Sequence, residues 1–243
     1  MDNILLLGDS HTYGAGIDDA SLNNAWKDHS NKSWAYHMFD KDKIENKSYP
    51  GCSNDTISLK LVRHVSNKDL VLIMFSYPER IHMTKNSCNF NVSHRFVGSF
   101  SDDYKENYVA KQIAEKYADE YKDLIIKYFD DNLLELLFLK NILFCQTFCQ
   151  SNNLKYYFTM VDFRSKTTCT SSLKKYRDSL YKSIAWDKIF LVDNKYGFGN
   201  YGNHTNAKKG LDGSHWHEDF HKTFGKLFLK FIEEDRKKQE SIV

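Results

Sequence analysis

The sequence predicts an α/β protein built from βαβ units around a mostly parallel sheet. Short apolar runs recur at 4–7, 70–75, 156–161 and 189–192, reading ILLL, LVLIMF, YYFTMV and IFLV. They are apolar at nearly every position, as strands covered on both faces must be. Segments with helical patterning separate them, and 243 residues suffice for one sizeable core, so the chain is read as a single domain over 1–243.

The first run ends at Gly8 and reads as a buried strand entering a turn. Residues 33–40 look helical, with Ser33 as N-cap. Residues 85–103 are polar and are expected to be an irregular surface excursion. A helical region spans 104–150, with Asn132 marking a break, and its leucine-rich second half should be buried. Further helices are expected over 171–186 and 216–235, and a Gly- and Asn-rich loop over 194–213. In sheets of this class ligands bind beyond the carboxyl ends of the strands. That places interest on Gly8–Ser10, Ser76–Arg80, Asp162–Arg164 and the loop after Val192.

Composition narrows the function classes. Hydrophobic residues make up 41% and charged residues 27%, ordinary for a globular protein. The formal net charge of +2 creates no strong field, so nucleic-acid binding gains no support. Five scattered cysteines argue against a disulfide framework, and Cys145 and Cys149, one helical turn apart, read as buried free thiols. The start of the chain lacks the features of a secretory leader, and no apolar run is expected to reach membrane-spanning length. The expectation is a soluble, cytoplasmic protein.

Two segments carry chemistry. Gly8-Asp9-Ser10-His11-Thr12-Tyr13-Gly14 follows the first strand directly. A serine at a strand-to-helix turn exposes its hydroxyl and directs its backbone N–H outward, which suits a nucleophile. The alternative is an ordinary tight turn. Asp212-Gly213-Ser214-His215 places an Asp and a His on one local turn, so that the carboxylate bonds one imidazole nitrogen and leaves the other for a serine. The alternative is a capped helix start with a surface His.

Together the two segments resemble the SGNH/GDSL hydrolases, which carry a GDS nucleophile block near the N-terminus and Asp-x-x-His near the C-terminus. The resemblance extends over nearly the whole chain. Gly8-Asp9-Ser10 matches the first block, Asn46-Lys47-Ser48-Tyr49-Pro50-Gly51-Cys52-Ser53-Asn54 resembles the second, and Asp212 and His215 match the last. His221 falls where many members carry a histidine on the closing helix. The resemblance implies a three-layer α/β/α sandwich of the flavodoxin-like sort. It also implies a Ser10–His215–Asp212 triad, backbone N–H groups of Ser10 and Gly51 in the oxyanion hole, and no cofactor or metal. The implied partner is a small-molecule or carbohydrate ester.

The third block departs from the family. Its usual Gly-x-Asn-Asp is replaced by Ser76-Tyr77-Pro78-Glu79-Arg80, and Pro78 offers no donor where the oxyanion Asn would stand. Arg80 is the first substitute donor and Asn54 the second; the alternative for Arg80 is a pair with Glu79 or another surface carboxylate. The departure keeps open a non-catalytic module of this fold that binds a glycan or a protein.

His217-Glu218-Asp219-Phe220-His221 also fits H-E-x-x-H, which opens a lesser reading as a zinc hydrolase. Asp162 and Arg164 either line the cleft or pair structurally. Gly197, Gly199 and Gly202 read as loop flexibility rather than phosphate binding. Aromatics over 77–108 and 196–201 suggest carbohydrate stacking, with acetyl esters as substrates, or else simple packing.

Overall fold

The computed structural model describes residues 3–18, 29–85, 88–93, 96–100, 120, 123, 124, 127–163 and 173–241. Four parallel strands form the central sheet in the order β2-β1-β3-β7, with β1 at Ile4–Leu7, β2 at Ile44–Asn46, β3 at Leu70–Phe75 and β7 at Lys155–Met160. Phe190 extends the pairing by donating its N–H to the Phe158 carbonyl at 2.8 Å. The run at 189–192 was expected to be a full strand, but it makes only a single bridge to β7. A 3-10 turn at Trp186–Lys188 precedes it, and left-handed Asp193 and Asn194 follow, so too few residues remain for a ladder.

Strand periodicity explains the layers. Leu5, Leu7, Val71 and Ile73 project to one face, and Ile4, Leu6, Leu70, Leu72 and Met74 to the other; all are buried. The first face is covered by α2 (Asn54–His64) and α3 (Asp131–Ser151), with α4 (Lys174–Ser183) packed against α3. Asp130 caps α3, accepting from the Leu133 N–H at 2.8 Å, so the expected break falls just before α3 rather than at Asn132. Leu134, Phe138, Ile142, Cys145 and Cys149 form its buried stripe. The second face is covered by the 3-10 turn Trp34–His37 and by α6 (Glu218–Glu240). Along α6, Phe220, Phe224, Phe228 and Ile232 recur at helical spacing, and Phe228 stacks on Trp34 at 5.4 Å. This is the three-layer α/β/α arrangement.

Several expectations change. Residues 33–40 give one 3-10 turn, and Ser33 precedes it without a side-chain capping bond. The described part of the stretch over 85–103 is regular: β4 (Ile81–Lys85), β5 (Cys88–Ser93) and β6 (Phe96–Phe100) pair as an antiparallel meander, and residues 101–103 lie outside the described residues. In β4 and β5 polar residues alternate with apolar ones, the period of a strand. The 194–213 segment contains a short helix, α5 (Phe198–His204). Its glycines serve close packing: a Cβ on Gly197 would lie 2.5 Å from the Met160 carbonyl oxygen, and one on Gly202 would enter the Trp216 ring. Contrary to expectation, α3 is long and apolar enough to cross a membrane by length and composition, but its stripe here packs on the sheet. Cys145 and Cys149 are free and buried, as expected.

In this strand order the chain passes from β1 to β2 on one side and then crosses from β2 to β3 on the other side of β1. The carboxyl end of β1 is therefore the switch point where the crevice of such a sheet opens. Ser10 begins helix α1 (Ser10–Tyr13) there.

Candidate active site

The turn after β1 is organised by a buried carboxylate. Asp9 is fully buried and is the N-cap of α1, its Oδ1 accepting from the His11 N–H at 3.0 Å. Its Oδ2 accepts from Ser76 Oγ at 2.9 Å and from Arg80 Nη1 at 3.0 Å. Arg80 Nη1 also donates to Ser76 Oγ at 2.8 Å, and its guanidinium lies 5.0 Å from the centre of the Tyr77 ring. Arg80 thus pairs with Asp9, next to Ser10.

Asn54 is fully engaged with the same loop. Its Oδ1 accepts from the Ser76 N–H at 2.8 Å, and its Nδ2 donates to the carbonyls of Ser76 and Tyr77 at 3.2 and 3.3 Å. Both amide protons are occupied, which corrects the expectation of an oxyanion donor: Asn54 braces the exit of β3. Gly51 has φ +81°, a left-handed turn that glycine adopts without strain. Neither its N–H nor that of Ser10 donates to another backbone group among the described residues. Ser10 stands at the first position of a helix, where the N–H has no intrahelical acceptor.

The last block is folded as expected at short range. Asp212 Oδ1 accepts from the N–H groups of Ser214 and His215, both at 2.9 Å, and Oδ2 meets His215 Nδ1 at 2.5 Å. Burial opposes the charge, yet these bonds from His215 and Ser214 hold Asp212 below the usual carboxylate range. The loop is clamped on both sides. Gly210 donates to the His215 carbonyl and Leu211 to the Gly16 carbonyl, each at 2.8 Å. Lys209 Nζ lies 3.2 Å from the Trp216 ring centre and donates to the Ser214 carbonyl at 3.1 Å. Gly16 faces this loop so closely that a Cβ there would sit 2.8 Å from Asp212 Oδ1 and 3.1 Å from His215 Cβ.

The structure brings the Asp212–His215 pair to the Ser10 turn through His11. The rings of His11 and His215 are 5.0 Å apart in an edge contact. No direct hydrogen bond joins Ser10 Oγ to His215. His11 escaped the sequence reading, as did Gly16 and the Lys209–Trp216 clamp; a histidine directly after Ser10 was the available signal. His11 also touches Phe198 at 5.2 Å, and its Nδ1 is buried with no hydrogen-bond partner. Burial lowers its pKa to about 4, against the pull of Asp9.

The H-E-x-x-H residues are not brought together. His217 is the N-cap of α6, and its Nδ1 accepts from the Asp219 N–H at 3.3 Å. His221 is buried, with Nδ1 accepting from the Trp34 N–H at 3.2 Å and Phe198 packed 5.0 Å away. One ring caps a helix at the surface and the other supports the core. This corrects the zinc-hydrolase reading. Asp162 Oδ1 accepts from Asn200 Nδ2 at 2.6 Å; Arg164 lies outside the described residues. Tyr196 stacks on His204 at 4.6 Å and Tyr201 meets Phe220 at 5.9 Å, so both rings are engaged in packing.

No family model matches the chain, and no curated protein matches it in sequence. Solved structures resemble it. The psychrotrophic esterase EstA from Pseudoalteromonas sp. is similar with TM-score 0.48 and 12% identity, over 97% of this chain and 100% of that one. The lipase Lip_vut3 from a goat rumen metagenome is similar with TM-score 0.47 and 12% identity, over 95% and 97%. A protein of the G-D-S-L lipolytic family from Desulfitobacterium hafniense DCB-2 is similar with TM-score 0.41 and 10% identity, over 94% and 98%. At these identities the chemistry rests on this chain's own residues.

Two outcomes follow from the Asp9 and His11 environments. Arg80→Ala leaves Asp9 as a buried charge without its cation, and should cost about 3–5 kcal/mol of stability in urea unfolding. A loss under about 1 kcal/mol, the scale of an exposed pair, would show that the contact carries little. For His11, the unfolded chain takes up a proton below about pH 6.5, whereas the folded one does so only near 4. Its contribution is fully present above pH 6.5 and is lost as pH falls towards 4, about 3 kcal/mol across that window. His221, also lowered by burial, acts in the same direction. His11→Gln should therefore flatten the decline of stability with falling pH, measured by denaturant midpoints; identical slopes in the two proteins would refute this.

Proposed function

We propose that the protein is a serine ester hydrolase. Ser10 Oγ attacks the ester carbonyl, His215 accepts its proton and returns it to the leaving alcohol, and Asp212 holds the imidazole tautomer and stabilises its cation. The N–H groups of Ser10 and Gly51 are the proposed oxyanion donors. The observation that carries this reading is the Asp212–His215 pair at 2.5 Å, on a loop docked against the segment that leaves the Ser10 helix. The absent Ser10–His215 bond is compatible with it, because catalytic hydrogen bonds are often long in free enzymes and tighten with substrate. Ser10 is only 5% exposed, which favours a compact acyl group, and acetyl is the proposed one. Carbohydrate acetates remain within that proposal, although Tyr196 and Tyr201 offer it no free stacking platform.

The unmade Ser10–His215 bond favours a second reading, a binding module of the same fold without hydrolysis. p-Nitrophenyl acetate separates the two. Wild type should hydrolyse it, and Ser10→Ala and His215→Ala should each reduce kcat/KM by at least about a thousandfold. Equal rates in wild type and Ser10→Ala would sink the enzymatic reading.

A geometric variant tests the loop without touching the triad. Gly16→Ala should displace the Asp212–His215 loop and lower kcat by about ten- to a hundredfold, since a shift near 1 Å is enough. Retained kcat in a correctly folded Gly16→Ala protein would show that the loop is not held by this contact.

A further inference from the structure

The segment that carries Asp212 and His215 is a small hairpin with a cation across its neck. Two backbone bonds form its legs: the His217 N–H donates to the Lys208 carbonyl at 2.9 Å, and the Gly210 N–H to the His215 carbonyl at 2.8 Å. Between them Lys209 and Trp216 stand opposite each other as an antiparallel bridge. The tip turns through Gly213 at φ +68° and is closed by the Gly213 N–H on the Gly210 carbonyl at 3.1 Å. Leu211, Asp212, Gly213 and Ser214 are all exposed, so hydrogen bonds rather than packing set the shape of the tip.

The peptide unit joining Ser214 to His215 is held at both polar ends. Its N–H donates to Asp212 Oδ1 at 2.9 Å. Its carbonyl, on the opposite side of the planar trans unit, accepts from Lys209 Nζ at 3.1 Å. The peptide unit after His215 is held in turn, because its carbonyl accepts from Gly210. With the backbone fixed before and after the residue, the direction in which the imidazole leaves the chain is fixed as well. A bond from an ammonium is charge-assisted and stronger than one from a neutral donor.

Lys209 is exposed, and a lysine in that position would ordinarily sample many rotamers. Here its Nζ lies 3.2 Å from the centre of the Trp216 ring, and indole is the aromatic face that attracts an ammonium most. Trp216 is anchored in the core. It is 3% exposed, its ring is 5.4 Å from that of Phe220 on α6, and a Cβ on Gly202 of α5 would lie 2.4 Å from it. A rigid ring thus fixes the ammonium, and the ammonium fixes the peptide that carries His215. We propose that Lys209 is a positioning residue for the general base, acting on the reaction through the Ser214–His215 peptide and the placement of the His215 ring. The proposal rests on the ester-hydrolase reading for its catalytic consequence but not for the hairpin geometry.

Lys209→Met tests it by keeping most of the side-chain length without the charge. The backbone legs remain, so the variant should fold, as circular dichroism would verify. With p-nitrophenyl acetate its kcat should fall about ten- to a hundredfold, since a displacement near 1 Å is enough. KM should change less than about threefold, because the lysine acts on the base and not on the substrate. Lys209→Arg keeps a cation that stacks on indole and donates to a carbonyl, and should restore kcat to within about threefold of wild type. Lys208→Met removes the same charge one residue earlier and should leave both constants unchanged. Independently of turnover, the His215 amide signal, identified in 1H–15N spectra by comparison with His215→Gln, should shift in Lys209→Met and return in Lys209→Arg. If wild type hydrolyses the ester but Lys209→Met retains its kcat, or Lys209→Arg fails to recover it, the positioning role is overturned and the hydrolase reading stands. If no variant and no wild type hydrolyses the ester, yet the His215 amide moves with Met and returns with Arg, the hydrolase reading fails and the hold of Lys209 on His215 stands. An unmoved His215 amide in Lys209→Met would overturn that hold itself.

Discussion

The carboxylate of Asp9 is the group around which the site is built. It is fully buried, and burying an isolated carboxylate costs several kcal/mol unless a cation and hydrogen bonds offset it. Three donors do so: the His11 N–H, Ser76 Oγ and Arg80 Nη1. Each comes from a different constraint. The first is the start of α1, the second the end of β3, and the third the loop that follows. Asn54 on α2 then holds Ser76 from both sides of its backbone. Removing any one of these leaves a buried polar group without its partner, so β1, α1, α2 and β3 are tied to one geometry at the point where Ser10 emerges.

This arrangement explains why Pro78 is tolerated in place of a donor. The segment after β3 offers no side-chain donor at that position; it supplies Ser76 and Arg80 to the Asp9 carboxylate of the Ser10 turn. The sequence reading found Arg80 by asking what could replace a missing donor. The partner the structure gives Arg80 is Asp9. A single sequence cannot reveal this, because the Arg80–Asp9 contact spans 71 positions and depends on the β1–β3 register. Asn54 was misread for the same reason: its partners are backbone groups of another element.

What was legible had local causes. Runs such as 70–75, apolar at every position, announce strands covered on both faces, and the spacing of Asp212 and His215 by three residues is enough to fold one turn onto itself. What was not legible depended on weak periodicity or on distance. Strands β4 and β5 of the meander alternate polar and apolar residues, a pattern that reads as surface chain until the partner strand is known. The glycines of 197–202 looked like flexibility and are sites of close approach, a distinction that only the neighbouring Met160 and Trp216 reveal. His11 was passed over because a histidine after Ser10 has no meaning until the Asp212–His215 loop is seen to dock against it.

The same residues set the electrostatics that any acyl transfer at Ser10 would meet. A bare carboxylate adjacent to the nucleophile would repel a developing oxyanion, and in a buried site that repulsion is strong. Arg80 offsets it by pairing with Asp9, which would weaken that repulsion at the proposed oxyanion donors, the N–H groups of Ser10 and Gly51. His11 contributes by remaining uncharged: burial holds its pKa near 4, so at neutral pH it presents an apolar edge to His215 rather than a second positive charge. A charged ring 5.0 Å away would oppose protonation of His215, the step by which a general base accepts the serine proton. In the proposed mechanism the buried, uncharged His11 would leave His215 able to become a cation, and the pairing of Asp9 with Arg80 would lessen repulsion of the oxyanion.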